Sequence, residues 1–514
     1  MTPAASFLED PKRRTVPRWR SWRDAVQVGD TDASTKTRVL EKPSPAQLMK
    51  AKLDWEANRS VPFAGDFIGA AYAIGEGYVA KEAAEFVLKA QSAISKAVRD
   101  LASLVLHDQS SVGRSLKDPP ILNIDDRRLR IRKLRASLRE FPRNPLAYMD
   151  LAREYVAQGQ PLSAVKPVKI ALALAPNSRF VLRSASRFFL HFNDPEQAHS
   201  ILRRADRVKT DPWLLAAEIA VADVAGRTSS LVKIGRQFVD SEKFPPSQIS
   251  ELASAVGTLV SETGNIRLVK RLFRRALVEP TENVVAQAGW ISRHIGDLQL
   301  APHVLDTPGS YEARAWADLV DSHWTDSVAA AELWLRDEPF ASRPAVFGSW
   351  AAMSMITNLE LAERFARHGL STHPNEFLLL NNLAVSLACQ GRTSEAVKVF
   401  ERINQADAEG PYKPTYLATK GLLQFRLGSP DAGRHLYRMA VVEAKRKRDT
   451  RSVVRALIHF AGEEFRFDPI KGECLIQEVV ADLYQLPKIH QTIATRLIEL
   501  TLHHYSAFGE TKRS

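Results

Sequence analysis

Large, small and large positions alternate along residues 145–176 in an order that suits two short helices folded back on each other. Counting Pro145 as position 1, Tyr148 falls at 4, Leu151 and Ala152 at 7 and 8, and Tyr155 at 11. Gly159 follows at 15, Ala164 at 20, Val168 at 24, Ala171 at 27 and Pro176 at 32. Apolar residues three and four apart predict a helical stripe on either side of Gly159. The glycine supplies the turn backbone, small residues let the two helices approach closely, and large ones fill the remaining gaps.

The pattern returns along the chain. From Arg179, Ala185 falls at 7, Phe189 at 11, Asn193 at the turn, Ala198 at 20, Leu202 at 24 and Ala205 at 27. A weaker copy covers Trp213 to Asp240, and one opening near Ser250 carries Gly257, Gly264, Phe273 and Ala276. The copy from Phe377 has Leu383, Ala384, Leu387, Gly391, Ala396 and Phe400, and the copy from Pro414 has Gly421, Gly428, Gly433, Tyr437 and Ala440. The stretch 283–342 is less regular but reads as paired helices around Trp316, Trp324 and Trp334. No strand-like alternation bounded by hairpin turns interrupts them, so the sequence predicts an all-α fold.

These positions resemble the tetratricopeptide repeat (TPR) family, over about residues 145–210, 250–280 and 344–446. The resemblance implies a right-handed superhelical solenoid of antiparallel helix pairs with a concave face. The expected organisation is a basic, mostly disordered arm over 1–45 and an N-terminal helical region over 46–120. TPR-like repeats follow over 121–282, degenerate helical repeats over 283–342, further repeats over 343–448, and capping helices with a tail over 449–514.

Composition adds bounds. An apolar fraction of 45% and a charged fraction of 25% suit an ordered globular chain. The N-terminus lacks the short apolar core of a secretory signal, and no apolar run is long enough for a membrane helix. Two cysteines, Cys389 and Cys474, exclude a disulfide framework. A cytoplasmic protein without a membrane partner is expected. The net charge of +12 raises the standing of acidic or polyanionic partners.

Candidate chemistry is sparse. No phosphate-cradling loop, zinc-protease helix motif or nucleophile elbow is present. His459, Glu463 and Glu464 share one helical face and read as an exposed polar surface. The expectation is therefore a protein without catalytic residues, cofactor or metal.

In the family the first helix of each pair lines the groove, and the resemblance carries that role to specific residues. They are Met149, Asp150 and Arg153, then Arg183, Arg187 and His191, then Asn381, Asn382 and Val385, and finally Thr419, Leu422, Phe425 and Arg426. Amides and guanidinium groups there could hold a peptide backbone or a carboxylate. A second set of candidates would face polyanions. Arg267, Lys270, Arg271, Arg274 and Arg275 form one helical stripe, and Arg18, Trp19, Arg20 and Trp22 mix cations with stacking surfaces in the arm. The reading is a scaffold or adaptor that binds a protein or peptide partner and assembles or restrains an effector enzyme. The alternative is a helical-repeat protein that binds nucleic acid through the stripe and the arm.

Overall fold

The computed structural model describes residues 13–22, 45–74, 77–90, 94, 96–107, 124–241, 243–295, 298 and 300–511. They are helical almost throughout, without a strand among them. The chain divides into two compact units, Ala33–Pro120 and the remainder. In the smaller unit the helices Pro45–Ala57, Val61–Ile74, Lys81–Lys89 and Lys96–His107 surround a core of Trp55, Phe67, Ile68, Ala71, Ala84 and Val87.

The larger unit is built from TPR-like helix pairs. First helices begin at Pro145, Arg179, Pro212, Pro246, Glu282, Tyr311, Ser342, Phe377, Lys413 and Thr450, each followed by an antiparallel partner packed against it or, after Glu282–Ile295, by the short turn Pro302–Asp306. Proline opens many of these helices because the first helical N–H needs no intrahelical acceptor. Asn144, Asp194 and Asp211 cap the following N–H groups with their side chains. Between the helices of a pair, Gly159, Gly264, Gly391 and Gly428 take positive φ, and Asn193 does the same at φ 56°. That left-handed turn is open to glycine and tolerated by asparagine.

Small residues bring the paired helices together. A Cβ on Gly433 would stand 2.4 Å from Phe425 and 3.0 Å from the Gly421 carbonyl. One on Gly421 would stand 2.9 Å from Tyr437. The helices Lys413–Arg426 and Pro430–Arg446 therefore pack with backbone near backbone, as positions 8 and 20 of the pattern require.

The array also meets itself. The Arg153 Nη2 donates to the Asp337 carbonyl at 2.9 Å, and the rings of His191 and His373 lie 4.9 Å apart, edge to face. At Gly159 a Cβ would collide with the Ser371 carbonyl, at 2.0 Å. The turns after Trp324–Asp337 and Leu359–Thr372 thus rest on the helices Pro145–Ala157 and Arg179–His191, closing one turn of repeats. Farther on, the terminal helix Lys488–Thr511 packs on Thr450–Glu464 and reaches Ser342–Met355, where Arg496 Nε donates to the Met355 carbonyl at 3.1 Å.

The part of the arm that the structure describes is not a solvent-facing tail. Residues 13–22 run extended, with burial alternating at every second residue from Arg13 to Trp19. Extended backbone sends successive side chains to opposite sides. The rest of the arm lies outside the described residues.

Candidate functional site

The arm lies along the inner wall of the closed turn, held by the first helices. Three side chains address its backbone carbonyls: Gln287 Nε2 donates to Arg13 O at 2.8 Å, Asn283 Nδ2 to Val16 O at 2.8 Å, and Arg153 Nε to Trp19 O at 3.0 Å. At the other end the Trp22 N–H donates to Asp150 Oδ1 at 2.8 Å. A backbone without sheet or helix partners thereby finds its hydrogen bonds in side chains, as buried polar groups must.

Side chains of the arm supply the rest. Arg13 donates from Nε and Nη2 to the two oxygens of Glu312, and from Nη1 to Gln287 Oε1 at 2.8 Å. Arg14 pairs with Asp223, and Thr15 shares a hydrogen bond with Ser254 at 2.8 Å. Arg18 meets Glu312 at 2.8 Å, and Asp337 and Glu338 at 3.4 Å each. Arg20 meets Asp337 at 2.9 Å and Glu282 at 3.4 Å. Trp19, with 0% of its surface exposed, packs on Phe188 and Phe340, and Trp22 sits edge-on to Phe180.

The electrostatics follow from this enclosure. Burial alone would raise the Glu312 carboxyl, but Arg13 and Arg343, with Arg18 beyond, hold it well below the usual carboxylate range. Burial wins at Glu282, which stays raised despite Arg20 and Arg18. Burial also pushes Asp150 up to about 6, against the Trp22 N–H and Arg153. His191 is pushed down to about 3 by burial, then by His373 and Arg187. Buried charges of this kind are tolerable only when paired, because removing them from water is costly.

The expected groove residues divide into several roles. Met149 is fully buried in the core beneath the arm, whereas Asp150 and Arg153 touch the arm itself. Arg183 lies over Trp213 and pairs with Glu251 at 2.8 Å, so it braces adjacent repeats. Arg187 lies over Phe340, and His191 contacts Phe340 and His373, at the seam where the turn closes. Asn381 accepts from Thr419 at 2.7 Å and Asn382 donates to Ser349 at 3.0 Å, which spends these amides on joining neighbouring first helices. Phe425 does not face the groove; it is buried against Tyr437, Phe460 and Phe467. Arg426 pairs with Glu463 at 2.7 Å on the wall of a second concavity.

The expected polyanion contacts are placed differently in the two regions. Arg18, Trp19 and Arg20 are turned inward onto carboxylates and aromatic rings, leaving little of them for a phosphate, and Trp22 is half-buried. Along Ile266–Ala276, Arg267, Arg271 and Arg274 are exposed, Lys270 and Arg275 half-buried, and Val269, Leu272 and Phe273 buried. The triad expected as an exposed polar face is not one: Glu463 and Glu464 are buried on Arg426 and Arg434, and only His459 is open, towards the second concavity.

Sequence reading missed the residues that hold the arm most tightly: Asp223, Glu282, Asn283, Gln287, Glu312, Asp337 and Glu338. Five of these seven lie between Glu282 and Asp337, with Glu338 adjoining, in or beside the stretch where the repeat pattern is weakest. Without the consensus to number positions, nothing marked their carboxylates as inward-facing. Among the described residues, no group of three His, Cys, Asp or Glu side chains is placed to hold a metal ion. No described helix is long and apolar enough to cross a membrane.

No family model matches the chain. No curated protein matches it either. Solved structures are similar to it only loosely. A crystal structure of the APC/C hetero-tetramer Cut9–Hcn1 is 13% identical, covering 88% of this chain and 92% of that one, at a TM-score of 0.36. Yeast Tom70 is 12% identical over 88% and 96%, at 0.28, and the Naa15/Naa10 complex bound to HypK-THB is 13% identical over 90% and 86%, at 0.22. At such scores the fold rests on the chain's own helix contacts.

Proposed function

We propose that this protein is a non-catalytic TPR-like scaffold that docks a protein partner, one such partner being an effector enzyme it assembles or restrains. Its docking mode is the one the chain applies to itself. An extended segment bearing Arg and Trp is laid along the first helices, with side chains reading its carbonyls and carboxylates meeting its cations. The observation that carries this reading is the set of bonds from Gln287, Asn283 and Arg153 to the arm backbone, since these recognise an extended chain whatever protein it belongs to. The arm is the resident ligand, and a partner segment of the same chemistry exchanges with it.

The test uses a labelled peptide of residues 11–24 with the full chain carrying Trp19→Ala and Arg18→Glu, which weaken the resident arm. Saturable binding that is lost on adding Asp337→Lys supports the reading. Unchanged fluorescence anisotropy across all peptide concentrations, with helical circular dichroism intact, refutes it.

The nucleic-acid reading now leans on one feature, the exposed Arg267, Arg271 and Arg274. Phosphate contacts there would give binding that falls steeply with salt. A gel-shift series that shows no complex at low salt removes it.

A further inference from the structure

A second concavity, of about 480 Å³, lies in the C-terminal repeats. Four first helices form its wall: Ser342–Met355, Phe377–Cys389, Lys413–Arg426 and Thr450–Glu464. The fifth side is the terminal helix Lys488–Thr511, which contributes Leu497, Leu500 and Tyr505 and is tied across to the Met355 carbonyl through Arg496. That tie turns an open groove into a bounded cavity, within the roughly 300–1,000 Å³ typical of small-ligand sites. A peptide running through the groove would meet the terminal helix.

The lining has two characters. Trp350, Met353, Leu378, Val385, Leu422 and Leu500 give it an apolar body. Its charged residues are Arg426, Arg455 and Arg466 against the single carboxylate Glu463, an excess of two positive charges (three minus one). His459 faces the same space; protein enclosure and then Arg455 push its imidazole down to about 4, so near neutrality it adds no charge. Burial likewise raises the Cys389 thiol, which leaves it an uncharged wall residue. A cationic ligand would meet the surplus arginine charge, and a neutral one would gain only from apolar contact. An anion with an apolar body gains from both, and the low-dielectric surroundings strengthen its attraction to the guanidinium groups.

We propose that this cavity binds a small anionic amphiphile, a carboxylate carried on an apolar chain. Its apolar part lies against the Trp350 and Leu500 walls, and its carboxylate lies towards Arg455 and Arg466. Because the terminal helix forms one wall, occupation holds that helix onto Ser342–Met355.

Calorimetry and thermal shift on the full chain test this with sodium decanoate, decanol and decyltrimethylammonium. Decanoate is expected to bind saturably, well below its aggregation concentration, and at least about tenfold more tightly than the other two. Arg455→Glu with Arg466→Glu should abolish that preference. Leu500→Trp, which fills the cavity, should weaken decanoate about tenfold while leaving peptide exchange at the arm site intact. Equal affinity for all three probes overturns the proposal, as does decanoate binding that ignores Leu500→Trp. A Leu- and Glu-containing peptide that binds more tightly than decanoate overturns it in favour of a protein segment. Failure of peptide exchange at the arm site would leave this cavity's result unaffected.

Discussion

Arg13 and Glu312 face each other fork to fork, Nε to Oε1 at 2.9 Å and Nη2 to Oε2 at 2.8 Å, across 299 residues of chain. Both side chains are buried, and Arg18 and Arg343 close on the same carboxylate at 2.8 Å and 3.1 Å. Glu312 is thus the point at which the arm and the repeats become one structure. Glu312→Ala leaves several guanidinium groups buried without their shared counter-charge, and breaking a buried pair from one side costs about 3–5 kcal/mol. Urea denaturation should show that loss, and limited proteolysis should cut within residues 13–22. A midpoint within error of wild type would contradict it.

Trp19 carries the apolar share of the arm's docking. Truncating a buried aromatic costs about 3–5 kcal/mol, so Trp19→Ala should lower the melting temperature markedly. Trp22 is half-buried against one ring, and Trp22→Ala should cost distinctly less. Differential scanning calorimetry on the two variants checks the ranking.

Acid should weaken the seam where the turn closes. His191 and His373 are pushed down from 6.5 to about 3 and about 4, in both cases by burial first. Below pH 6.5 the unfolded chain takes up protons that the folded imidazoles refuse. The stability they permit is therefore present above pH 6.5 and lost as pH falls, by at most about 1.4 kcal/mol per pH unit for each imidazole. Asp150 acts in the opposite sense, because its carboxyl is raised to about 6 and the folded chain takes up its proton first. The double variant His191→Gln with His373→Gln should flatten the fall in melting temperature between pH 6.5 and 4. An identical slope would refute the assignment.

The stripe on Ile266–Ala276 should be dispensable for folding. Arg271 pairs with Asp240 at 3.6 Å with both side chains more than half exposed, and such pairs contribute about 0–1 kcal/mol. Arg267→Gln, Arg271→Gln and Arg274→Gln together should leave the melting temperature nearly unchanged while reducing retention on heparin.

Gly433→Ala tests the packing rule of the repeat. The added methyl meets Phe425 and the Gly421 carbonyl, and overpacking of this kind costs about 1–3 kcal/mol. Thermal denaturation should register it, whereas Gly264→Ala should act only through its φ of +75°, since open space surrounds that position.

The helix pairs were legible because their cause is local. Gly159, Gly421 and Gly433, the prolines at helix starts and the apolar stripes each act through neighbours within one repeat, and that information lies in consecutive residues. Arg183 and Phe425 show where position alone runs out: one braces a neighbouring repeat and the other enters the core, choices set by helix rotation of a fraction of a turn. The fate of Arg18 and Trp19 was beyond any local reading. Cations and an indole attract phosphate, a partner surface or carboxylates of their own chain equally well. Only the winding of the repeats, which brings Glu312 and Asp337 opposite residues 13–22 and Phe340 against Phe188, decides among them. Short-range packing fixed the helices by residue type; long-range electrostatics and the curvature summed over many pairs decided what the concave wall holds.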